Sequence, residues 1–374
     1  MNATGIVNAT AQRGQVGTPE RMPPAAAPEV DESFERRLID GISPIAEHFL
    51  ASALHHLFDT GIYDQLDGAT GGMPVTEVAG ALDMNPDRLL GFLLYLANED
   101  IVSVDGETVA LTARARAFEE FRPWYTIMVG GYSTTLDQLG GALKNGAESC
   151  TRDGRCVAMG SCGISRYDGI PMTRSLLASA AVRTRTVLDL GCGNGLYLVE
   201  FCRQLPDLTA WGVEPDRGGF EEAQSLIHAT GMTDRVRLSN LTAAEFLSDP
   251  PRDCDPDLIV FGYVLQEILG QDGEDAVIDL LRSTVSRFPL INVVVIEVAN
   301  EIRNPSVMRH GLARNFWNTY FLVHSFTRQR LETRAFWERL FDRAGLTCHQ
   351  RVTTPLSVDS TGLELGYLLR GRNG

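Results

Sequence analysis

The chain has 374 residues, 44% of them apolar, with 33 basic against 48 acidic side chains and a formal net charge of −15. That length exceeds what one core usually serves and predicts two domains plus a tail, while the acidic balance excludes the basic face a nucleic-acid partner requires. No apolar run approaches the roughly 20 residues of a membrane span or the core of a leader peptide, and seven scattered cysteines suit reduced thiols in a cytoplasmic protein.

Residues 1–31 are rich in Ala, Pro and Gly and predict a disordered tail. Helical patterning begins at Ser33. Ser43-Pro44 reads as a cap followed by a first-turn proline, with Ile45, Phe49, Ala53, Leu57 and Phe58 on one face and Gly61 ending the helix. Thr76 reads as the cap of a short helix carrying Val78, Ala79 and Leu82. Asn85-Pro86 opens another, with Leu89, Leu90, Leu93 and Leu96 on one side. The runs 101–104 and 108–111 flank Asp105-Gly106-Glu107, a strong hairpin signal. Helices followed by a hairpin describe a winged-helix module over 32–120. Its Asn85–Asn98 segment has one arginine against Asp87, with Glu99 following, so dimerisation is favoured over DNA binding.

Residues 121–180 predict a helical linker broken at Gly130-Gly131 and Gly140-Gly141. Cys150, Cys156 and Cys162 lack zinc-site spacing and read as ordinary thiols. The stretch Tyr167–Met172 reads either as a cleft wall or as a linker turn.

From 181 to 374, strands and helices alternate as a parallel sheet demands. Strands are predicted at 186–190, 209–213, 235–239, 257–262 and 291–297. Helices are predicted at about 195–205, 217–230, 242–248, 272–287, 307–322 and 333–344, and late strands at 346–352 and 363–369 form an antiparallel edge hairpin.

The first strand runs into Gly191-Cys192-Gly193-Asn194-Gly195. This spacing is one residue shorter than the dinucleotide fingerprint, which favours a nucleoside without a pyrophosphate. Asp189 before the turn suits a ligand ammonium, and Glu214 at the next strand end suits two ribose hydroxyls. Asn240 with Leu241 at the third strand end would meet adenine. That ordered set points to S-adenosylmethionine.

On these residues the chain resembles the class I S-adenosylmethionine-dependent methyltransferases. More narrowly, it resembles the two-domain small-molecule group with an N-terminal winged-helix dimerisation domain. The resemblance implies an α/β Rossmann-like catalytic sheet, a mainly helical N-terminal dimerisation domain and a homodimer. O-methyltransferases of this architecture carry a motif resembling Val-Leu-His-Asp after the fourth strand, with histidine as base. Here the stretch reads Val264-Leu265-Gln266-Glu267-Ile268, and an amide has no useful basicity. The α-keto acid C-methyltransferases match better, 2-ketoarginine methyltransferases in particular, through Leu54–Gly61 and Leu265–Ile268.

That likeness implies C-methylation at the β-carbon of a 2-oxo acid, 2-ketoarginine above all. It also implies an iron or zinc ion at Glu267 and His324 with Gln266 beside them, assisting an enolate. Glu297 and Glu301 are the candidate partners for a guanidinium, and His310 and Glu301 are the back-up residues of the metal site. The plainer alternatives are a core role for His324 within Phe321–Phe326, O- or N-methylation with another base, and a winged-helix regulator that senses S-adenosylmethionine.

Overall fold

A computed structural model describes residues 34–69 and 71–372; the expected tail lies outside the described residues. The chain falls into two units, Met1–His48 and Phe49–Gly374. The described part of the first is helical and belongs to α1 (Phe34–Asp59), which starts well before Ser43-Pro44 and carries Pro44 in its interior. Proline lacks the N–H that would bond four residues back. The Ser43 hydroxyl donates to that same Asp40 carbonyl (3.0 Å), so no acceptor is left empty and the helix continues. On the expected apolar face, Ile45 and Phe49 are exposed, while Ala53, Leu57 and Phe58 are buried.

In the second unit α2 (Ile62–Asp67), β1 (Met73–Pro74), α3 (Val75–Ala81), α4 (Pro86–Asn98), β2 (Val102–Asp105) and β3 (Thr108–Leu111) follow. The strands pair antiparallel in the order β1-β3-β2, with the hairpin at the expected Asp-Gly turn. Asn85 caps α4 by accepting the Arg88 N–H (3.0 Å). Thr76 lies inside α3 rather than capping it, and Leu90 faces out while Leu89, Leu93 and Leu96 are buried.

The stretch expected to link two domains holds α5 (Ala113–Glu119), α6 (Arg122–Tyr125), a π-helical turn (Thr126–Gly131), α7 (Ser133–Ala142), α8 (Gly154–Ile164) and α9 (Gly169–Ser179). Both glycine doublets lie within helical turns rather than breaking them. Leu176 and Leu177 of α9 share a core with Val187 and Leu198, so α9 covers one face of the main sheet.

That sheet is built from β4 (Thr186–Leu190), α10 (Leu196–Gln204), β5 (Thr209–Val213), α11 (Arg217–Ala229), β6 (Val236–Ser239), α12 (Ala243–Ser248), β7 (Leu258–Gly262), α13 (Leu265–Asp272), α14 (Glu274–Arg287) and β8 (Asn292–Val298). There follow α15 (Pro305–Met308), a second π turn (Ala313–Trp317), α16 (Asn318–His324), α17 (Arg334–Arg343), β9 (Leu346–Thr353) and β10 (Glu364–Gly371). The order is β6-β5-β4-β7-β8-β10-β9, with β10 antiparallel to both neighbours. β10 is therefore internal, and only β9 is the edge of the expected hairpin. The helix expected at 307–322 is divided into three pieces, and α13, unforeseen, carries Gln266 and Glu267. Strand order reverses at β4, so a crevice opens beyond its carboxyl end. Among the described residues no helix is long and apolar enough to cross a membrane, and all seven cysteines are free.

Candidate active site

A cavity of about 680 Å³ opens at that crevice. Its floor is the glycine turn after β4, where Gly191 and Gly193 hold φ of 95° and 54°. A Cβ on Gly191 would stand 2.3 Å from Val264 Cγ2, and one on Gly193 would stand 2.8 Å from Cys162 Sγ. Both glycines line the cavity. Gly195 does a different job: it caps α10 with a left-handed φ of 75°.

Asp189 is buried at the turn, and burial, with Glu214 nearby, pushes its pKa up to about 8. Glu214 ends β5. Its carboxylate accepts the Gly193 N–H (2.8 Å) and the Asp216 N–H (2.9 Å), yet burial still raises it to about 7. A glycine cradle that a Cβ would fill, flanked by two buried carboxylates, fits the ammonium and ribose of S-adenosylmethionine. Asn240 is directed elsewhere, donating from Nδ2 to the carbonyls of Glu214 (2.8 Å) and Pro215 (3.1 Å). Neither it nor Leu241 lines the cavity; Pro215, Asp216, Thr242, Ala243 and Ala244 form the wall there.

Gln266, Glu267 and His324 all line this one cavity, together with Tyr132, Arg152 and Tyr320. Gln266 Nε2 donates to the Tyr320 hydroxyl (3.1 Å), and its buried Oε1 has no hydrogen-bond partner. His324 Nδ1 lies 2.8 Å from the Tyr320 carbonyl, which can only accept, so Nδ1 carries the proton and Nε2 keeps its lone pair. Burial pulls the His324 pKa down to about 3, so the ring is neutral. Both Glu267 oxygens accept from Arg152 Nη2 at 2.8 Å. Arg152 Nη1 is buried without a partner.

Arg152 escaped the sequence reading, since a lone arginine in the polar loop before α8 carries no local signal. For a divalent cation the available donors are His324 Nε2, which has the Tyr132 hydroxyl 3.5 Å away, and Gln266 Oε1, which has no partner. A neutral nitrogen and an amide oxygen make a weak pair for iron or zinc, so a cation fits only with Glu267 released from Arg152. Among the described residues three His, Cys or carboxylate donors converge elsewhere, at His55, Asp59 and Cys156, where Arg155 already pairs with Asp59.

The remaining candidates lie outside the cavity wall. Glu297 is buried and raised to about 8 by that burial, accepting the Gln266 N–H (3.2 Å). Glu301 accepts from Asn304 Nδ2 (3.1 Å) in its own turn. His310 pairs with the Ser360 hydroxyl (2.8 Å). Asp168, within the stretch read as a cleft wall or a linker turn, does line the cavity, as do Tyr263 and Glu364.

Residues 168–351 match the family model of a methyltransferase domain. The chain is 40% identical to the 2-ketoarginine methyltransferase of Streptomyces arginensis, over 92% of this chain and 99% of that protein. It is 28% identical to the indolepyruvate C-methyltransferase of Streptomyces griseus, over 62% of this chain and 66% of that protein. Human N-acetylserotonin methyltransferase, solved in complex with SAM, shares the fold at a TM-score of 0.57 and 16% identity, covering 92% of this chain and 99% of that one. The Rossmann-like sheet, its glycine cradle and this kinship place the chain in the family of S-adenosylmethionine-dependent methyltransferases.

Proposed function

We propose that this enzyme methylates the β-carbon of a 2-oxo acid, with 2-ketoarginine as the acceptor. The observation that carries the reading is Arg152, a cavity-lining guanidinium whose Nη1 is without a hydrogen-bond partner, in a chain 40% identical to a 2-ketoarginine methyltransferase. A carboxylate of the acceptor is the natural partner for that donor.

Bound S-adenosylmethionine supplies an electrophilic methyl group on its sulfonium. Asp189 and Glu214 hold its charged and hydroxyl ends, and the glycine turn admits it. With the acceptor's carboxylate on Arg152 Nη1, Glu267, held by Nη2, accepts the β-proton. The β-carbon of the resulting enolate then forms its bond to the methyl as the sulfur–methyl bond breaks, leaving a neutral thioether. Positioning of the two reactants supplies much of the rate. His324, neutral and with a pKa near 3, is a poor base for a hydroxyl acceptor, which disfavours O-methylation. An iron or zinc ion held by Gln266, Glu267 and His324 would supply Lewis acidity at the keto oxygen.

Incubation with 2-ketoarginine and S-adenosylmethionine should give an acid heavier by one methylene, and a β,β-dideuterated substrate should lose one of its two deuteriums, read by mass spectrometry. Glu267→Ala should abolish it. An unmodified acid, with and without added iron or zinc, would refute the reading.

We infer further that residues 32–120 form a winged-helix dimerisation module. Phe34, Leu38, Ile42 and Ile45 recur at helical spacing along α1 and are all exposed, an apolar stripe of the kind that a second copy covers. Light scattering should find a dimer for the parent and a monomer for Ile42→Glu. A monomeric parent, or a dimeric variant, would overturn the assignment.

A further inference from the structure

Two carboxyl groups in the cavity have no part in the chemistry above. Asp168 precedes α9 and Glu364 opens β10, and both are almost wholly buried (3% and 4% exposed). They are hydrogen-bonded to each other. Glu364 also accepts from the Tyr263 hydroxyl (3.1 Å) and the Thr354 hydroxyl, and Asp168 from the Gly169 N–H. Among the described residues no basic side chain forms an ion pair with either.

We propose that Asp168 and Glu364 form the subsite for a guanidinium at the end of the acceptor's side chain. The inference rests on the 2-oxo acid reading and names the part of the substrate that reading leaves unplaced. Two buried carboxyls in contact repel once both ionise, so without a cation they share a proton. Burial accordingly raises both, Asp168 to about 6. A guanidinium brings a planar fork of five N–H donors and a fixed charge, which satisfies both groups.

An independent feature points the same way. Phe316 and Trp317 add aromatic walls against which a guanidinium stacks. The cavity therefore carries one arginine with a free donor and one acid pair without a cation. That is the electrostatic complement of an acceptor with a carboxylate at one end and a cation at the other. Glu297 and Glu301, the sequence candidates for this role, lie outside the wall.

The test compares 5-guanidino-2-oxopentanoate with its neutral isostere 5-ureido-2-oxopentanoate on the purified full chain. The isostere turns a carbonyl oxygen toward the acid pair where the guanidinium offers N–H groups. Charged hydrogen bonds of this kind give a preference of about 100-fold in kcat/KM for the guanidino acid. Glu364→Gln should cut that ratio to below about 10, chiefly through KM for the guanidino acid. Asp168→Asn is the second variant, and the melting-temperature rise with S-adenosylmethionine verifies that each is folded. Equal turnover of both acids by the parent, or an intact preference in the folded variants, overturns this inference alone. Methylation of neither acid overturns the 2-oxo acid reading and this inference with it.

Discussion

Arg152→Met is expected to lower kcat/KM for the 2-oxo acid by about 10²- to 10³-fold, the equivalent of about 3–4 kcal/mol of transition-state stabilisation. Two losses combine. The substrate's carboxylate loses a charge-assisted donor, worth about 1.5–3 kcal/mol. Glu267 also loses the guanidinium that both its oxygens now accept from at 2.8 Å, in a site where both side chains are about three-quarters buried. Part of that second loss is screened by solvent. Arg152→Lys should recover little, because a point charge cannot serve Glu267 and the substrate through separate nitrogens. Steady-state kinetics on both variants, alongside calorimetric titration of S-adenosylmethionine, measures the effect. A fall of less than about tenfold in the methionine variant would remove Arg152 from the acceptor site.

Gly191→Ala should abolish measurable S-adenosylmethionine binding, a loss of at least about 100-fold in affinity. The backbone there stands at φ 95°, which costs an L side chain about 1–3 kcal/mol. The added Cβ would also stand 2.3 Å from Val264 Cγ2. Valine is stiff about χ1 and cannot swing that methyl aside cheaply, so the turn must shift. Gly195→Ala is the internal comparison. Its Cβ would meet Ala223 at 3.4 Å and does not face the cavity, so the variant bears backbone strain with little loss of cofactor. Val264→Ala in the Gly191→Ala background should restore part of the binding by emptying the contested space. Thermal melts with and without cofactor read all of these. A Gly191→Ala protein whose melting temperature rises with S-adenosylmethionine as the parent's does would contradict the cradle.

The catalytic sheet was legible in the residues because burial on both faces writes parallel strands as short apolar runs. The runs at 186–190 and 209–213 coincide with β4 and β5, and the other strands begin and end within two residues of expectation. The cofactor turn was equally plain, since only glycine tolerates the angles and close approach that it needs. Gln266 and Glu267 were marked by the resemblance to methyltransferases, which places a polar pair at a fixed step after the fourth strand.

What sequence could not decide depends on partners far away in the chain. Asn240 has the right type and place for adenine, but two backbone carbonyls nearby claim its amide. Glu297 looks like a substrate carboxylate at a strand end, and the N–H of Gln266 draws it behind the wall. Arg152 and the pair of Asp168 with Glu364 show the same limit from the other side. Each is an unremarkable residue in its own stretch, given meaning only where separate segments meet in one cavity. Spacing along a strand or turn is set by backbone geometry and is therefore written in the sequence; which charges face one another across a cavity is set by the packing of distant elements, and tertiary structure alone decides it.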